Sequence, residues 1–168
     1  MPTPAPLPDA AALCTQLAAA MRPSITPQTA LVGIHTGGAW VAEWLHRELG
    51  IRQPLGSIDV AFYRDDYAQR GLHKGTKASA IPFDVEGAHI VIVDDVLYTG
   101  RTIRAAMNEL FDYGRPAKME LAVLADRGGR ELPIAPTYCP RVLTLPAAQT
   151  LALERAEGGG LSFRLMEK

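Results

Sequence analysis

Residues 90–103 read Ile-Val-Ile-Val-Asp-Asp-Val-Leu-Tyr-Thr-Gly-Arg-Thr-Ile, and this segment predicts a strand, a loop and the start of a helix. The run Ile90–Val93 is β-branched throughout, as expected for a strand buried on both faces of a parallel sheet. Two carboxylates, Asp94 and Asp95, stand where we expect this strand to end. A helix is predicted next, because apolar residues recur at the spacing of one helical face. They are Ile103, Ala106, Met107, Leu110 and Phe111.

A strand, loop and helix of this kind bind ligands at the carboxyl end of the strand. The backbone N–H groups of residues 99–102 would point outward at the helix start, where the helix dipole attracts anions. Gly100 would let the backbone approach a phosphate. Asp94 and Asp95 would repel a bare phosphate but can accept hydrogen bonds from sugar hydroxyls. The pattern therefore predicts a phosphorylated ribose as ligand.

The segment Asp94–Thr102 resembles the signature of type I phosphoribosyltransferases, which bind phosphoribosyl pyrophosphate (PRPP). Residues 96–98 (Val-Leu-Tyr), together with 63–66 (Tyr-Arg-Asp-Asp) and 126–128 (Asp-Arg-Gly), look like one branch of that family. This branch comprises pyrimidine operon regulators that also have uracil phosphoribosyltransferase activity. The similarity spans residues 31–138, most of the chain.

The resemblance implies an α/β fold, with a central, mostly parallel sheet flanked by helices and a small base-covering segment. We expect one domain over residues 1–168, in which the proline-rich residues 1–8 form a flexible arm. We predict that Asp9 caps a first helix, which runs to about Arg22. A terminal hairpin is predicted around Gly158–Gly160, with a surface linker as the alternative. The other predicted strands are Leu31–Ile34, Leu55–Tyr63, Met119–Ala125 and Val142–Leu145, and those of the hairpin are Thr150–Arg155 and Leu161–Met166.

A second anion-binding turn is predicted at His35-Thr36-Gly37-Gly38, between a strand and a helix. By resemblance this is the pyrophosphate loop. Many relatives have an arginine where this chain has Gly37, so a cationic side chain is missing there. His35 is only a weak substitute for that cation.

The resemblance also assigns a loop over the active site and a contact with the base. The polar segment Arg64–Ala80 is expected to close over bound PRPP and to bring Arg64, Lys74 and Lys77 to the pyrophosphate. The segment Asp126, Arg127 and Gly128 is expected to bind uracil.

The implied reaction converts uracil and PRPP to UMP and pyrophosphate. Asp94 and Asp95 are the catalytic candidates, because carboxylates favour the positive charge that develops on the ribose ring. Mg²⁺ is the implied cofactor, held through PRPP rather than by a dedicated set of protein ligands. The expected PRPP-binding residues are Val96, Leu97, Tyr98, Thr99, Gly100, Arg101 and Thr102.

Other function classes fit the sequence less well. It contains neither G-x-G-x-x-G nor G-x-x-x-x-G-K-[ST], and a calcium loop starting at Asp95 fails at Leu97, Thr99 and Ala106. The net charge of −1 argues against a generally basic nucleic-acid coat. The two cysteines are interpreted as small buried residues in a reducing cytosol. No run is long enough to cross a membrane, so a cytoplasmic location is expected.

Three alternatives stay open at this point. Relatives in this branch bind pyrimidine-operon messenger RNA through basic residues on a dimer face that includes the first helix. Because Ala10–Met21 carries no Lys or Arg, we expect RNA binding to be weak or absent. A sensor of PRPP or UMP without turnover, and an enzyme for another base, are the remaining alternatives. The resemblance implies a homodimer or a higher homo-oligomer.

Overall fold

The computed structural model describes residues 6–60 and 79–168 of the chain. Within them, five strands form a sheet in which every neighbouring pair is parallel. The strands are β1 (Thr29–Ile34), β2 (Gly56–Ile58), β3 (His89–Leu97), β4 (Lys118–Asp126) and β5 (Arg141–Val142). Their order is β2-β1-β3-β4-β5. The predicted α/β fold with a parallel sheet is confirmed.

Helices cover both faces of this sheet. They are α1 (Ala10–Met21), a short 3₁₀ helix (Arg22–Ser24), α2 (Gly37–Glu48) and α3 (Arg101–Phe111). Leu17 of α1 and Leu45 of α2 belong to the buried cluster on one face, and Leu110 of α3 belongs to the cluster on the other. The predicted helix cap is confirmed, since the Asp9 carboxylate accepts hydrogen bonds from the N–H groups of Ala11 and Ala12.

Two local expectations about the central unit are wrong. The acidic pair does not end its strand, because β3 continues to Leu97 and stays paired with β4 as far as Asp126. The neighbouring strand thus supplies partners beyond the β-branched run. Phe111 is not part of the buried helical face but is 52% exposed. It is the last residue of α3, one position past the last buried residue, Leu110.

Several predicted strands differ in length from those observed. The strand predicted over Leu55–Tyr63 is only three residues long, and its last three predicted positions, 61–63, lie outside the described residues. The strand predicted over Val142–Leu145 is the two-residue β5. The predicted flexible-loop residues Arg64, Lys74 and Lys77, and most of the predicted arm 1–8, also lie outside the described residues.

The terminal hairpin is confirmed. Its strands, β6 (Gln149–Arg155) and β7 (Leu161–Glu167), pair in antiparallel register. Leu151, Leu153 and Phe163 are buried in the same cluster as α1 and α2. The hairpin therefore packs on the side of the sheet that carries these two helices.

The order of the strands creates a crevice between β1 and β3. The helix that follows β1 packs on one face of the sheet, and the helix that follows β3 packs on the opposite face. In an open parallel sheet, ligands bind outside the carboxyl ends of the strands at such a switch point. Ligand-binding residues are therefore expected directly after β1 and at the end of β3. No helix in the described part of the chain is long and apolar enough to span a membrane.

Candidate active site

Two glycines bring the start of α2 into contact with the acidic pair of β3. A Cβ atom on Gly37 would lie 2.3 Å from Oδ2 of Asp95. A Cβ atom on Gly38 would lie 2.5 Å from the carbonyl oxygen of Val93 and 3.0 Å from Oδ1 of Asp94. A side chain at position 38 would push α2 away from β3, because it meets backbone atoms, whereas one at position 37 meets the side chain of Asp95. Gly37 and Gly38 therefore allow the two predicted ligand-binding segments to lie in contact.

The acidic pair is held by the backbone that carries it. Asp94 is 5% exposed, and its Oδ1 accepts a hydrogen bond of 2.9 Å from the N–H of Asp95. Oδ1 of Asp95 accepts a bond of 2.8 Å from the N–H of Val96. The other carboxylate oxygen of Asp95 is the one that lies against Gly37 at the start of α2. The helix dipole stabilises negative charge at that position.

A cavity of about 340 Å³ opens beside this contact. It unites segments that are distant in the sequence: the start of α2, the end of β3, the first turn of α3, the loop after β4, and the terminal hairpin. The lining residues are Thr36, Gly37, Trp40, Asp94, Asp95, Val96, Tyr98, Thr102, Arg127, Thr150, Leu151, Ala152, Leu153, Met166, Glu167 and Lys168.

Eight of the predicted site residues line the cavity. They are Thr36, Gly37, Asp94, Asp95, Val96, Tyr98, Thr102 and Arg127. Among the described residues, another eight predicted positions are not part of the lining: His35, Gly38, Leu97, Thr99, Gly100, Arg101, Asp126 and Gly128. Most of this second set supports the loops from which the first set projects.

The loop before α3 shows how this support works. The carbonyl oxygen of Thr99 accepts hydrogen bonds from the N–H groups of Glu131 and Leu132. Gly100 has a φ of 94°, and a Cβ atom there would lie 3.0 Å from Cγ1 of Ile134. This backbone conformation and close packing require glycine whether or not a phosphate is bound. The N-cap residue Gly100 has no side chain to cap this helix, and the hydroxyl of Thr99 accepts a hydrogen bond of 3.2 Å from the N–H of Arg101.

Asp126 organises the loop after β4. Its Oδ1 accepts a hydrogen bond of 3.0 Å from the N–H of Gly128, and its Oδ2 lies 2.6 Å from a guanidinium nitrogen of Arg130. Arg130 also donates to the carbonyl oxygen of Tyr98. The structure thus places the Asp126 carboxylate in a loop-stabilising network and leaves Arg127 as the member of the predicted base-binding segment that lines the cavity.

Arg127 is a buried cation with unused donor capacity. It is 8% exposed, and its guanidinium carbon lies 4.0 Å from the centre of the Tyr98 ring. Its Nε atom is buried and has no hydrogen-bond partner among the residues that the structure describes. A buried donor without an acceptor is unfavourable, so a ligand that supplies an acceptor gains binding energy here.

Trp40 and several hairpin residues also line the cavity, and the sequence did not predict them as site residues. Arg155 of β6 lies over the Trp40 ring, with 5.0 Å between its guanidinium carbon and the ring centre. The same guanidinium pairs with Glu43 at 3.0 Å. These contacts connect the hairpin to α2 and so place hairpin residues along the cavity. Only the position of Trp40, one helical turn after Thr36, offered a local signal for this arrangement.

The described residues contain no preformed metal-binding site. In residues 6–60 and 79–168, no group of three or more His, Cys, Asp or Glu side chains is arranged to hold a metal ion. The neighbouring carboxylates Asp94 and Asp95 are a donor set that suits a Mg²⁺ ion shared with phosphate oxygens of a ligand.

An acidic pair at the switch point of a parallel sheet, next to the N-terminus of a helix, defines the type I phosphoribosyltransferase class. The phosphoribosyl transferase domain family matches residues 6–144, and the chain belongs to this family. It is 53% identical over 143 residues to the bifunctional protein PyrR of Pseudomonas aeruginosa (strain LESB58), covering 83% of this chain and 84% of the relative. The predicted resemblance to that branch is confirmed.

Two further comparisons agree. The chain is 52% identical over 160 residues to the bifunctional protein PyrR of Ralstonia nicotianae, covering 93% of this chain and 91% of the relative. The fold matches a crystal structure of a hypoxanthine-guanine phosphoribosyltransferase from Bacillus anthracis with a TM-score of 0.65 and 16% identity. That match covers 83% of this chain and 84% of the other, and it shows the shared fold.

Proposed function

We propose that this protein is a uracil phosphoribosyltransferase of the PyrR branch, which converts uracil and PRPP to UMP and pyrophosphate. The observation that carries the proposal is the contact between the Asp95 carboxylate and Gly37 at the start of α2. This contact puts acceptors for sugar hydroxyls and amide donors for a phosphate at one wall of one cavity. A ribose that carries phosphate groups satisfies both.

The reaction needs positioning and charge rather than a protein nucleophile. Nitrogen N1 of uracil attacks the anomeric carbon, the bond from that carbon to the pyrophosphate oxygen breaks, and the N1 proton is released to solvent. The transition state carries positive charge on the ribose ring, which the carboxylates of Asp94 and Asp95 favour. The same carboxylates accept hydrogen bonds from the ribose hydroxyls and so orient the ring toward the base.

Two helix N-termini would hold the phosphates. The backbone amides of Thr36, Gly37 and Gly38 suit the pyrophosphate, and the turn Thr99–Thr102 suits the 5′-phosphate. Position 37 supplies no side-chain cation, so the pyrophosphate charge has to be balanced by other groups. The predicted loop with Arg64, Lys74 and Lys77 is the proposed source of those cations.

Mg²⁺ is part of this proposal. When bound, it neutralises the charge of the leaving pyrophosphate. Asp94 and Asp95 are the residues that would hold it, together with oxygens of PRPP. Omission of Mg²⁺ from an otherwise complete assay should therefore abolish turnover, and full activity in the presence of a chelator would contradict this part of the proposal.

The test is UMP production from uracil and PRPP with Mg²⁺, with calorimetric binding of PRPP and UMP on the same preparation. Turnover supports the proposal and shows that Gly37 is compatible with catalysis. Binding without turnover favours a nucleotide sensor instead. Faster product formation from hypoxanthine or guanine than from uracil would assign a different base, and absence of both binding and turnover would contradict the proposal.

The second candidate function is an RNA-binding attenuator of pyrimidine genes that responds to UMP or PRPP. The exposed residues of α1 weigh against strong RNA binding by that helix, because all are uncharged and contribute no phosphate contact. They are Ala11, Ala12, Thr15, Gln16, Ala19 and Ala20. Filter binding to a pyrimidine-operon leader RNA at two salt concentrations tests this function. Tight, salt-sensitive binding that requires UMP would favour the attenuator.

A homodimer or higher homo-oligomer is also proposed, by analogy with the branch. Light scattering coupled to size-exclusion chromatography measures the molar mass directly. A mass of one chain across the micromolar range would contradict this proposal.

A further inference from the structure

We propose that Lys168 is a specificity-determining residue of the base site, which donates a hydrogen bond to a carbonyl oxygen of the nucleobase. It would make the site select uracil over cytosine, its analogue with an amino group at position 4. This inference rests on the proposed transfer of a phosphoribosyl group to uracil. It concerns a residue outside the segment that the sequence predicts to bind the base.

Two cations converge on one aromatic ring at the Tyr98 end of the cavity. The guanidinium carbon of Arg127 lies 4.0 Å from the ring centre, and Nζ of Lys168 lies 5.1 Å from it. Both distances are within the range of a cation–π interaction. All three residues line the same cavity.

The hairpin wall of this cavity suits a planar base better than a phosphate. Leu151, Leu153 and Met166 of the hairpin line the cavity together with Lys168. Apolar and aromatic surfaces of this kind pack against the faces of a heteroaromatic ring. The starts of α2 and α3 are the proposed phosphate sites. Tyr98 lies just before the start of α3, and the side of its ring that meets the hairpin residue Lys168 is assigned to the base.

The cavity is also polarised in its hydrogen bonding. Asp94 and Asp95 present acceptors, whereas an ammonium and a guanidinium group can only donate. A ligand atom that pairs with the Lys168 ammonium must therefore be an acceptor, whereas the carboxylate of Glu167, which lines the same cavity, can pair with a ligand donor. Uracil offers carbonyl oxygens at positions 2 and 4. Cytosine has an amino group at position 4, and a donor facing a donor leaves both groups unpaired.

Lys168 is an exposed residue whose backbone is held in place. Its N–H donates a hydrogen bond of 2.8 Å to the carbonyl oxygen of Ala148. The preceding residue, Glu167, also lines the cavity, and its carboxylate accepts a bond of 3.3 Å from Nε2 of Gln149. These bonds tie the end of β7 to the start of β6.

Three variants test the proposal. Lys168→Met removes the ammonium and keeps a long side chain, and Lys168→Arg keeps the cation. Arg164→Met is the matched control, because it removes a cation from the same strand that pairs with Glu154 and does not line the cavity. For each, we would measure kcat/KM with uracil and with cytosine, the KM for PRPP, and the calorimetric affinities for UMP and CMP.

The proposal predicts that Lys168→Met lowers the uracil-to-cytosine preference by about tenfold or more, the effect of one hydrogen bond to a charged donor. Lys168→Arg should keep most of that preference, Arg164→Met should keep all of it, and the KM for PRPP should stay constant. An unchanged preference in Lys168→Met overturns the proposal. A raised KM for PRPP with unchanged preference also overturns it, because Lys168 would then serve a phosphate.

The nucleotide affinities separate this inference from the proposed function. If the wild-type protein makes no UMP but binds UMP more tightly than CMP, the proposed enzyme fails while the inference stays testable. Loss of that binding preference in Lys168→Met would then support the inference, and its persistence would overturn it. Equal affinity of the wild-type protein for the two nucleotides, or affinity for neither, would overturn it as well.

Discussion

Gly37 and Asp95 are in direct contact across the crevice between β1 and β3. A Cβ atom on Gly37 would lie 2.3 Å from Oδ2 and 2.8 Å from Cγ of Asp95. The residue type at position 37 therefore controls where this carboxylate can lie. The sequence indicated only that Gly37 leaves the predicted pyrophosphate loop without a cationic side chain. The structure adds a steric role, which is to leave room for the carboxylate.

The first prediction concerns Gly37→Ala. The added methyl group would displace the Asp95 carboxylate, which is the end of a side chain that can rotate away, so the free energy of unfolding should change little. Displacement of a positioning group by about 1 Å can lower a rate by roughly 100-fold. We therefore expect UMP formation to fall by about 10- to 100-fold, measured by steady-state kinetics.

Gly158→Ala is the control for this variant. Gly158 lies in the hairpin turn, and a Cβ atom there would have nothing within 4 Å. It should keep the activity of the wild-type protein. Full activity in Gly37→Ala would show that the contact between position 37 and Asp95 does not matter for the reaction.

The second prediction concerns Arg130, which links Asp126 to the carbonyl oxygen of Tyr98. Its removal leaves the Asp126 carboxylate, 9% exposed by residue, without its cation. Loss of hydrogen bonds to a charged group costs about 1.5–3 kcal/mol. Arg130→Met should lower the free energy of unfolding by about this amount, measured by urea denaturation.

The exposed pair of Arg164 and Glu154 provides the comparison. Its side chains are 61% and 48% exposed, and exposed pairs contribute about 0–1 kcal/mol. Arg164→Met should therefore be nearly neutral. Equal destabilisation by the two variants would contradict the role assigned to the Arg130 network.

The third prediction concerns the thiol of Cys14. Burial raises the pKa of this thiol to about 11, above its unfolded value of about 8.5. At pH 8 only about one thiol in a thousand is then ionised, and the thiolate is the reactive species. In a Cys139→Ser variant, iodoacetamide at pH 8 should leave Cys14 unmodified in the folded protein and should modify it rapidly in urea.

The same raised pKa predicts how stability depends on pH. The unfolded state ionises first as the pH increases, so the contribution of Cys14 is fully present below about pH 8.5 and is lost toward pH 11. A Cys14→Ala variant should show a smaller loss of stability over this interval. Rapid alkylation of Cys14 in the folded protein, or identical pH dependence in both proteins, would contradict this account.

Much of the fold could be predicted because its core strands are strongly apolar. The runs Leu31–Ile34 and Ile90–Val93 indicated buried parallel strands, and both form the centre of the sheet. Their positions, each before a Thr- and Gly-containing turn, were enough to place the two turns and the acidic pair at one edge of the sheet. Strand ends were predicted less well, because pairing with a neighbour extends β3 past its β-branched run.

The remaining site residues depend on tertiary packing that no local pattern records. Trp40 and Lys168 line one cavity because the hairpin packs on the side of the sheet that carries α1 and α2. An alternation of apolar residues predicts the hairpin but not the surface that it covers. In the same way, Asp126 and Arg127 are neighbours in the sequence, yet the Asp126 carboxylate pairs with Arg130 whereas Arg127 lines the cavity.

A comparison of UMP formation by the wild-type protein and by the double variant Asp94→Asn/Asp95→Asn tests whether the acidic pair is catalytic. Asparagine keeps an oxygen that can accept the N–H bonds from Asp95 and Val96, so the variant should fold normally, which circular dichroism and thermal unfolding check. We expect turnover in the wild-type protein and none in the folded variant. Comparable UMP formation by the two proteins would contradict the role of the acidic pair, and with it the proposed active site.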